Sequence, residues 1–307
     1  MTVIQTTDLT KRYGSVTAVD GLDLTVEEGE VFGFLGPNGA GKTTTIDLLL
    51  DFIRPTSGHA EVLGYDTRAE TDEVRNRIGI LPEGFDLWGR SSGRSHVEFA
   101  IDAKGGSEDP DGLIERVGLS RDDANRPVGD YSKGMKQRLA MAMALAGNPE
   151  LLILDEPSSG LDPTGIREMR ELVRTEAAAG TTVFFSSHIL GQVSAVCDRV
   201  GILNEGTLVA IDTIEGLRSD AGVGDTLVLD IGDEVTELID DIEGVIESNQ
   251  HDGQLRVTYS DPRAKATVVH RLVDVGHEVT DLRIDETTLE DLFEVYTNGQ
   301  STGGDAP

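Results

Sequence analysis

Residues 36–44 constrain the fold of this chain more than any other stretch, because they fit the pattern G-x-x-x-x-G-K-[ST] completely. An apolar run at residues 31–35 predicts a buried strand before them, and an apolar run at 46–53 predicts a helix after them. This order indicates a phosphate-binding loop, because its backbone N–H groups and the following helix N-terminus attract an anion. The loop consists of Gly36, Pro37, Asn38, Gly39, Ala40, Gly41, Lys42, Thr43 and Thr44.

A second motif supplies carboxylates that could act on a bound nucleotide. In the first motif, Lys42 is expected to reach the β- and γ-phosphates and the Thr43 hydroxyl to bind Mg²⁺. Residues 151–154 predict another buried strand, which ends in Asp155 and Glu156. Asp155 is placed to hold Mg²⁺, and Glu156 could activate a water as general base. Together the motifs predict nucleotide hydrolysis; the alternatives are a glycine-rich turn that binds nothing and a strand that merely ends in solvated acids.

Composition limits the function classes. The chain has 307 residues, one cysteine and a net charge of −30, which argues against general affinity for nucleic acid or anionic lipid. No run approaches the roughly 18 apolar residues of a membrane span, and no signal peptide is recognised, so we expect a cytoplasmic protein. Abundant acids with scarce lysine suggest adaptation to high salt, where screening weakens repulsion on an acidic surface. An ordinary acidic cytosolic protein is the alternative.

The predicted elements fall into two domains. In residues 1–220, buried strands alternate with helices and predict a mostly parallel α/β sheet, with antiparallel strands near the N-terminus and a helical subdomain at about 84–148. Residues 221–298 follow a Gly-rich boundary in the order βαββαβ, which predicts a small α+β domain of ferredoxin-like arrangement. Residues 299–307 are small and polar and predict a disordered tail.

Five motifs in sequence order identify a family. The set closely resembles the ATP-binding subunits of ABC transporters over about residues 1–215, and the motifs are residues 36–44, 132–138, 151–156, 159–162 and His188. The resemblance implies a P-loop NTPase fold of the ABC ATPase type. A softer resemblance links residues 287–293 to the tail of the exporter-like subclass.

The resemblance implies roles for single residues. Tyr13 would stack on adenine. Ser132 and Gly134 belong to the signature motif, which contacts the γ-phosphate held by the opposite subunit. Asp162 would lie in the loop that links the two sites of a dimer, and His188 would hydrogen-bond the γ-phosphate and position the water. The alternatives are a surface aromatic at Tyr13 and a structural histidine at His188.

Glu83 and Trp88 lie where the family contacts its membrane partner. Glu83 replaces the usual Gln that touches Mg²⁺; a carboxylate there could still bind the metal, but its role in coupling is open. Trp88, the only tryptophan, lies in a region that borders the groove for the membrane subunit. It could anchor that partner or belong to the local core.

The function implied by the resemblance is an ATPase subunit that uses ATP and Mg²⁺ to power a separate integral-membrane permease, with export as the expected direction. A complete site needs a second copy of the chain or a homologous ATPase subunit. The chain would then lie on the cytoplasmic face of the membrane, bound through its permease. The alternatives are a soluble ABC ATPase that acts on ribosomes or DNA and a non-catalytic nucleotide-binding regulator.

Overall fold

The structure, a computed structural model, describes residues 1–232, 235, 239 and 241–298. The chain divides into two compact units, Met1–Ile211 and Asp212–Pro307. The division lies before the glycine-rich stretch at 221–224 at which composition placed it. The predicted tail at 299–307 lies outside the described residues, as does most of the helix predicted at 235–242.

Two sheets organise the first unit. One contains four strands in the order β2-β1-β4-β5, and the other contains six in the order β10-β9-β3-β8-β7-β6. Among the described residues, the strands of these sheets are β1 (Thr2–Tyr13), β2 (Val16–Glu27), β3 (Val31–Leu35), β4 (Ser57–Val62), β5 (Tyr65–Asp66), β6 (Ile78–Leu81), β7 (Leu151–Asp155), β8 (Thr182–Ser187), β9 (Arg199–Asn204) and β10 (Thr207–Asp212).

The six-stranded sheet is parallel from β6 to β9, as its continuous apolar strands predicted. Phe32, Phe34 and Phe184 are fully buried at its centre and contact one another through their rings. The four-stranded sheet is antiparallel. The residue types at 11–14, Lys-Arg-Tyr-Gly, predict a turn, but this prediction is wrong because β1 continues to Tyr13, which pairs with Val16.

Helices surround the six-stranded sheet. The helix predicted at 46–53 in fact begins at Lys42, directly on the phosphate loop. The sequence of residues 189–196 also predicts the start of a helix, which in the structure is a single turn. The described helices of this unit are α1 (Lys42–Leu49), α2 (Thr71–Arg77), α3 (Gly93–Ala103), α4 (Pro110–Arg116), α5 (Arg121–Ala124), α6 (Lys133–Ala144), α7 (Pro163–Ala178) and α8 (Leu190–Val193).

The second unit contains an antiparallel sheet in the order β12-β13-β11-β14, which is the strand order of the predicted ferredoxin-like arrangement. One apolar core joins this sheet to α10 through Leu229, Val257, Val268 and Leu272. The described elements of this unit are α9 (Ile214–Asp220), β11 (Asp225–Ile231), β12 (Val245–His251), β13 (Gln254–Tyr259), α10 (Ala264–Asp274), β14 (Val279–Asp285) and α11 (Leu289–Asn298).

The last helix explains where the second unit begins. Leu289 and Leu292 are buried, and the Tyr296 hydroxyl donates a hydrogen bond of 3.0 Å to the Leu217 carbonyl of α9. Helix α9 therefore packs with α11 and belongs to the second unit.

Across the residues that the structure describes, no helix is long and apolar enough to cross a membrane.

An ion pair between the exposed Arg116 and the buried Glu176 ties the helical subdomain to α7. Arg116, at the end of α4, donates from Nη2 to Glu176 Oε2 at 2.5 Å. The Glu176 side chain is almost completely buried, and among the described residues its Oε1 has no hydrogen-bond partner. Burial raises the pKa of Glu176, and the attraction of Arg116 opposes that rise only in part.

We expect Glu176→Gln to change how stability depends on pH. A carboxyl whose pKa is raised on folding contributes stability that is full below its unfolded pKa and is lost as pH rises through the folded value. The glutamine variant should therefore lose less stability than the wild type between about pH 4 and neutral pH, measured by urea unfolding. Glu171→Gln, at an exposed position of the same helix, is the control, and equal slopes in all three proteins would contradict the prediction.

Candidate functional site

The phosphate loop lies between β3 and α1, and the backbone of other segments packs closely against it. A Cβ atom at Gly36 would lie 2.5 Å from the Leu203 carbonyl oxygen, and one at Gly41 would lie 2.3 Å from that of Ala18. Gly41 also has a φ of 110°, which L-residues with a side chain rarely adopt. The loop can therefore keep this shape only with glycine at both positions.

Lys42 is buried within its own loop. Its Nζ donates to the Gly36 carbonyl at 2.7 Å and to the Pro37 carbonyl at 3.2 Å. The same atom lies 3.7 Å from Glu156 Oε1. Oxygen atoms thus surround the ammonium group. The oxygens of a bound phosphate would join these hydrogen-bond acceptors or replace them.

Glu156 follows β7 with a left-handed backbone, φ 48°, which makes its side chain depart from the alternation of the strand. Its Oε2 lies 2.9 Å from His188 Nδ1. Its Oε1 is buried and makes no hydrogen bond within the described part of the chain, since the distance to Lys42 is too long for one. One buried carboxylate oxygen is therefore available to accept a proton from a water molecule.

Oxygen donors gather beside Asp155. The Thr43 hydroxyl donates to Asp155 Oδ2 at 3.1 Å, and the Ser186 hydroxyl donates to Asp155 Oδ1. Burial raises the pKa of Asp47, and the negative charge of Asp155 raises it further. Hydroxyl and carboxylate oxygens are the donors that Mg²⁺ prefers, so the chemistry of this cluster fits Mg²⁺.

Sequence reasoning missed Ser186 and Asp47 at this cluster. Asp47 lies four residues after Thr43 on α1, so helical spacing alone could have placed the two side chains on one face. Ser186 occupies β8 directly beside Asp155, a pairing that only the strand register reveals. Ser186 orients Asp155 through a hydrogen bond, and Asp47 is a second carboxyl group close enough to interact with the charge of Asp155.

A second cluster forms at the starts of α6 and α7. Ser132 caps α6 by accepting a hydrogen bond from Met135 N at 3.2 Å, and Asp162 caps α7 by accepting one from Gly165 N at 2.7 Å. A Cβ atom at Gly134 would lie 3.7 Å from the Leu161 side chain, so the two helix starts are neighbours. Two helix N-termini at one surface favour an anion there.

The hydrogen bonds and ion pairs of the described residues separate these two clusters. Lys42, Thr43, Asp155, Glu156 and His188 belong to one network, and Ser132, Gly134 and Asp162 make no hydrogen bond with it. The segment after Glu156 lies between them, because Gln137 of α6 donates to the Pro157 carbonyl at 2.7 Å. The predicted site residues therefore form two separate clusters within the described part of the chain.

Tyr13 and Glu83 lie at the surface. Tyr13 ends β1 half-exposed, with Lys11 Nζ 4.9 Å from its ring centroid. Glu83 is exposed two residues after β6, and Leu81 of that strand pairs with Leu154 of β7. Glu83 is thus on the same edge of the sheet as Asp155, but it makes no hydrogen bond with the described residues of the oxygen-rich cluster around Asp155.

Trp88 is 55% exposed and belongs to an aromatic group. Its ring stacks at 5.2 Å on His96 and meets the exposed Phe99 edge-on at 4.9 Å. The backbone N–H of Trp88 donates to His96 Nε2 at 2.9 Å, and His96 Nδ1 lies 2.7 Å from the Ser92 carbonyl oxygen. The buried histidine fixes the loop, so the tryptophan is presented on the surface rather than packed in a core.

The chain is similar to known proteins of one family. The family described as ABC transporter matches residues 19–159. The chain is 38% identical to the bacitracin transport ATP-binding protein BcrA of Bacillus licheniformis, over 98% of this chain and 99% of that protein. It is 36% identical to the daunorubicin resistance ATP-binding protein DrrA3 of Streptomyces coeruleorubidus, over 92% of each. A solved ATP-binding subunit of an ABC transporter superposes with a TM-score of 0.66 at 29% identity, covering 72% of this chain and 93% of that one.

We expect Gly41→Ala to weaken ATP binding at least about tenfold, because the added methyl group meets the Ala18 carbonyl and strains the loop. Calorimetric titration with Mg-ATP measures the effect. Gly64→Ala is the matched control, since Gly64 also has a positive φ, 78°, but a Cβ there meets nothing within 4 Å. An unchanged dissociation constant in Gly41→Ala would show that the loop tolerates displacement.

Proposed function

The chain belongs to the ABC transporter family as an ATP-binding, ATP-hydrolysing subunit, and on that premise we propose that it powers a separate membrane permease that exports its cargo. Relatives named for bacitracin transport and daunorubicin resistance support export, because resistance is achieved when a toxic compound leaves the cell. The chain would act at the cytoplasmic face of the membrane, bound to its permease. The helical subdomain at about 84–148 and the C-terminal domain complete the proposed organisation.

The observation that carries the proposal is the network of the buried Lys42 and Glu156 with the exposed His188. Lys42 would bind the β- and γ-phosphates together with the amides of the phosphate loop. Glu156 would take a proton from the attacking water through its free Oε1. His188, on the other carboxylate oxygen, would orient Glu156 and hydrogen-bond the γ-phosphate.

Thr43 and Asp155 would hold Mg²⁺, with Glu83 as a further carboxylate at the same edge. When bound, Mg²⁺ neutralises charge that develops on the phosphate oxygens during transfer. Ser186 orients Asp155 by its hydrogen bond, and the pKa of Asp47 is raised first by burial and then by the negative charge of Asp155.

A complete site would need a second subunit, either a copy of this chain or a homologous ATPase. Ser132, Gly134 and Asp162 form their own cluster, and their helix N-termini would meet the γ-phosphate bound by the opposite chain. Tyr13 would stack on the adenine of the nucleotide bound to its own chain. It ends β1, and the hairpin of β1 and β2 also brings Ala18 against the phosphate loop. ATP would thus join two chains, and hydrolysis would release them.

Trp88 and Phe99 would receive the permease. They form an exposed apolar pair beside the strand end that carries Glu83, and a fixed aromatic surface with polar surroundings suits a partner helix. A movement of the residues proposed to hold Mg²⁺ would then be transmitted to the permease through residues 82–88. This arrangement favours the anchor role of Trp88 over a role in the local core.

We expect Glu156→Gln to bind Mg-ATP with near-normal affinity, to hydrolyse it at least about 100-fold more slowly, and to accumulate as a dimer. The reason is that the amide cannot accept the proton of the attacking water. Phosphate release and sedimentation measure the two effects. Glu150→Gln, an exposed glutamate just before β7, is the matched control, and near-normal turnover by Glu156→Gln would remove Glu156 as the base.

We expect Trp88→Ala to keep the basal ATPase rate and lose at least about tenfold in affinity for the permease, because it removes a large apolar anchor. The measurement is titration of the subunit into its permease in detergent, followed by permease-stimulated ATP hydrolysis. Phe52→Ala removes an equally exposed aromatic elsewhere and should change neither quantity. Unfolding of the isolated Trp88→Ala subunit would instead assign the tryptophan to the core.

A further inference from the structure

The sheet of the second unit ends in an uncovered edge strand. Strand β14 pairs with β11 on one side, and within the described residues no strand pairs with its other side. Residues 280–286 are all exposed. The Leu282 N–H donates to the carboxylate of the preceding residue, Asp281 Oδ1, at 2.8 Å. Such an edge is a ready template for another strand, and proteins usually cover or blunt it.

The apolar face of this strand is also uncovered. Leu282 and Ile284 pair with Leu229 and Leu227, so all four side chains lie on the face that carries the core. Their partners on β11 are fully buried, yet Leu282 is 47% exposed and Ile284 is 41% exposed. The core helix α10 therefore covers β11 and leaves the edge strand bare.

A shallow cavity lies between α10 and β14. Its volume is about 560 Å³, and Ala266, Val269, Val273 and Leu282 line it with Lys265 and His270 at its margin. Val273 is 56% exposed, which adds to the apolar surface beside the strand. Burial of this surface together with the open backbone edge would stabilise an added strand by both hydrogen bonds and the hydrophobic effect.

The charges on the opposite face of β14 are self-complementary. If two β14 strands run antiparallel with Leu282 opposite Leu282, Asp281 of each faces Arg283 of the other, and Ile284 faces Thr280. Both charge pairs form at once because the arrangement has two-fold symmetry. Among the described residues, the ion pair of Arg283 is with the exposed Asp285, 3.4 Å away, which also pairs with Arg256.

We infer that β14 is a docking surface for a second copy of this chain, and that two second units join through it into one continuous eight-stranded sheet. The other edge strand, β12, has no Lys or Arg to face Asp281 and Asp285, so an open chain of β12–β14 contacts is disfavoured. The contact needs no nucleotide. It is therefore separate from the ATP-bridged contact between the first units and does not depend on the proposed transport function.

Disulfide trapping tests the register. In a Cys197→Ser background of the full-length chain, without nucleotide, Leu282→Cys should oxidise to a covalent dimer, because residues directly opposite each other in antiparallel strands have Cα atoms within disulfide reach. Ile246→Cys, equally exposed on β12, is the matched control and should stay monomeric. Monomeric Leu282→Cys, or equal cross-linking at both positions, would overturn the inference.

A charge swap tests the complementarity. Arg283→Asp and Asp281→Arg should each weaken the nucleotide-free dimer about tenfold in sedimentation experiments, and the double variant should restore wild-type association. Thermal unfolding of each variant separates a lost contact from a lost fold. A double variant that associates no better than the single ones would overturn the inference. ATP hydrolysis, measured in parallel, shows whether the first unit is affected.

Discussion

The buried pair of Lys42 and Glu156 is the constraint on which the rest of the first unit depends. Both side chains are almost completely removed from water, and their charged atoms are 3.7 Å apart, too far for a hydrogen bond. Burial of charges with incomplete pairing is unfavourable, so the surrounding fold must hold them. The phosphate loop does so with carbonyl oxygens around Lys42, and His188 does so on one side of Glu156. A triphosphate and a water molecule would supply what both groups lack.

The order of strands in the parallel sheet brings this pair together. Strands β3, β8 and β7 are adjacent, so their carboxyl ends meet at one edge although Thr43 and Asp155 are 112 residues apart in sequence. Glycine at positions 36 and 41 lets the neighbouring backbone pack against the loop. The second cluster lies at the starts of α6 and α7, away from this edge, which is why we propose that one chain holds parts of two sites.

Two surfaces of the chain then remain for association, and they differ in what they need. In our proposal, the helix N-termini near Ser132 and Asp162 would meet an anion held by the other chain, so that contact would depend on nucleotide. Strand β14 is an edge strand with complementary charges of its own, so the contact that we infer there would not depend on nucleotide. A lasting contact between second units would keep two first units close while ATP joins and releases them, which raises their effective concentration.

The sequence by itself determined the phosphate loop, the carboxylates after β7, and the strands and the helix α10 of the second unit, because each follows from local residue types and hydrophobic periodicity. The high-salt hypothesis also came from composition and stays a prediction. Only the tertiary structure decided that β1 continues to Tyr13, that α9 joins the second unit, that Ser186 orients Asp155, and that Trp88 is presented by His96. These features depend on strand register and on packing between distant segments, which no local pattern encodes.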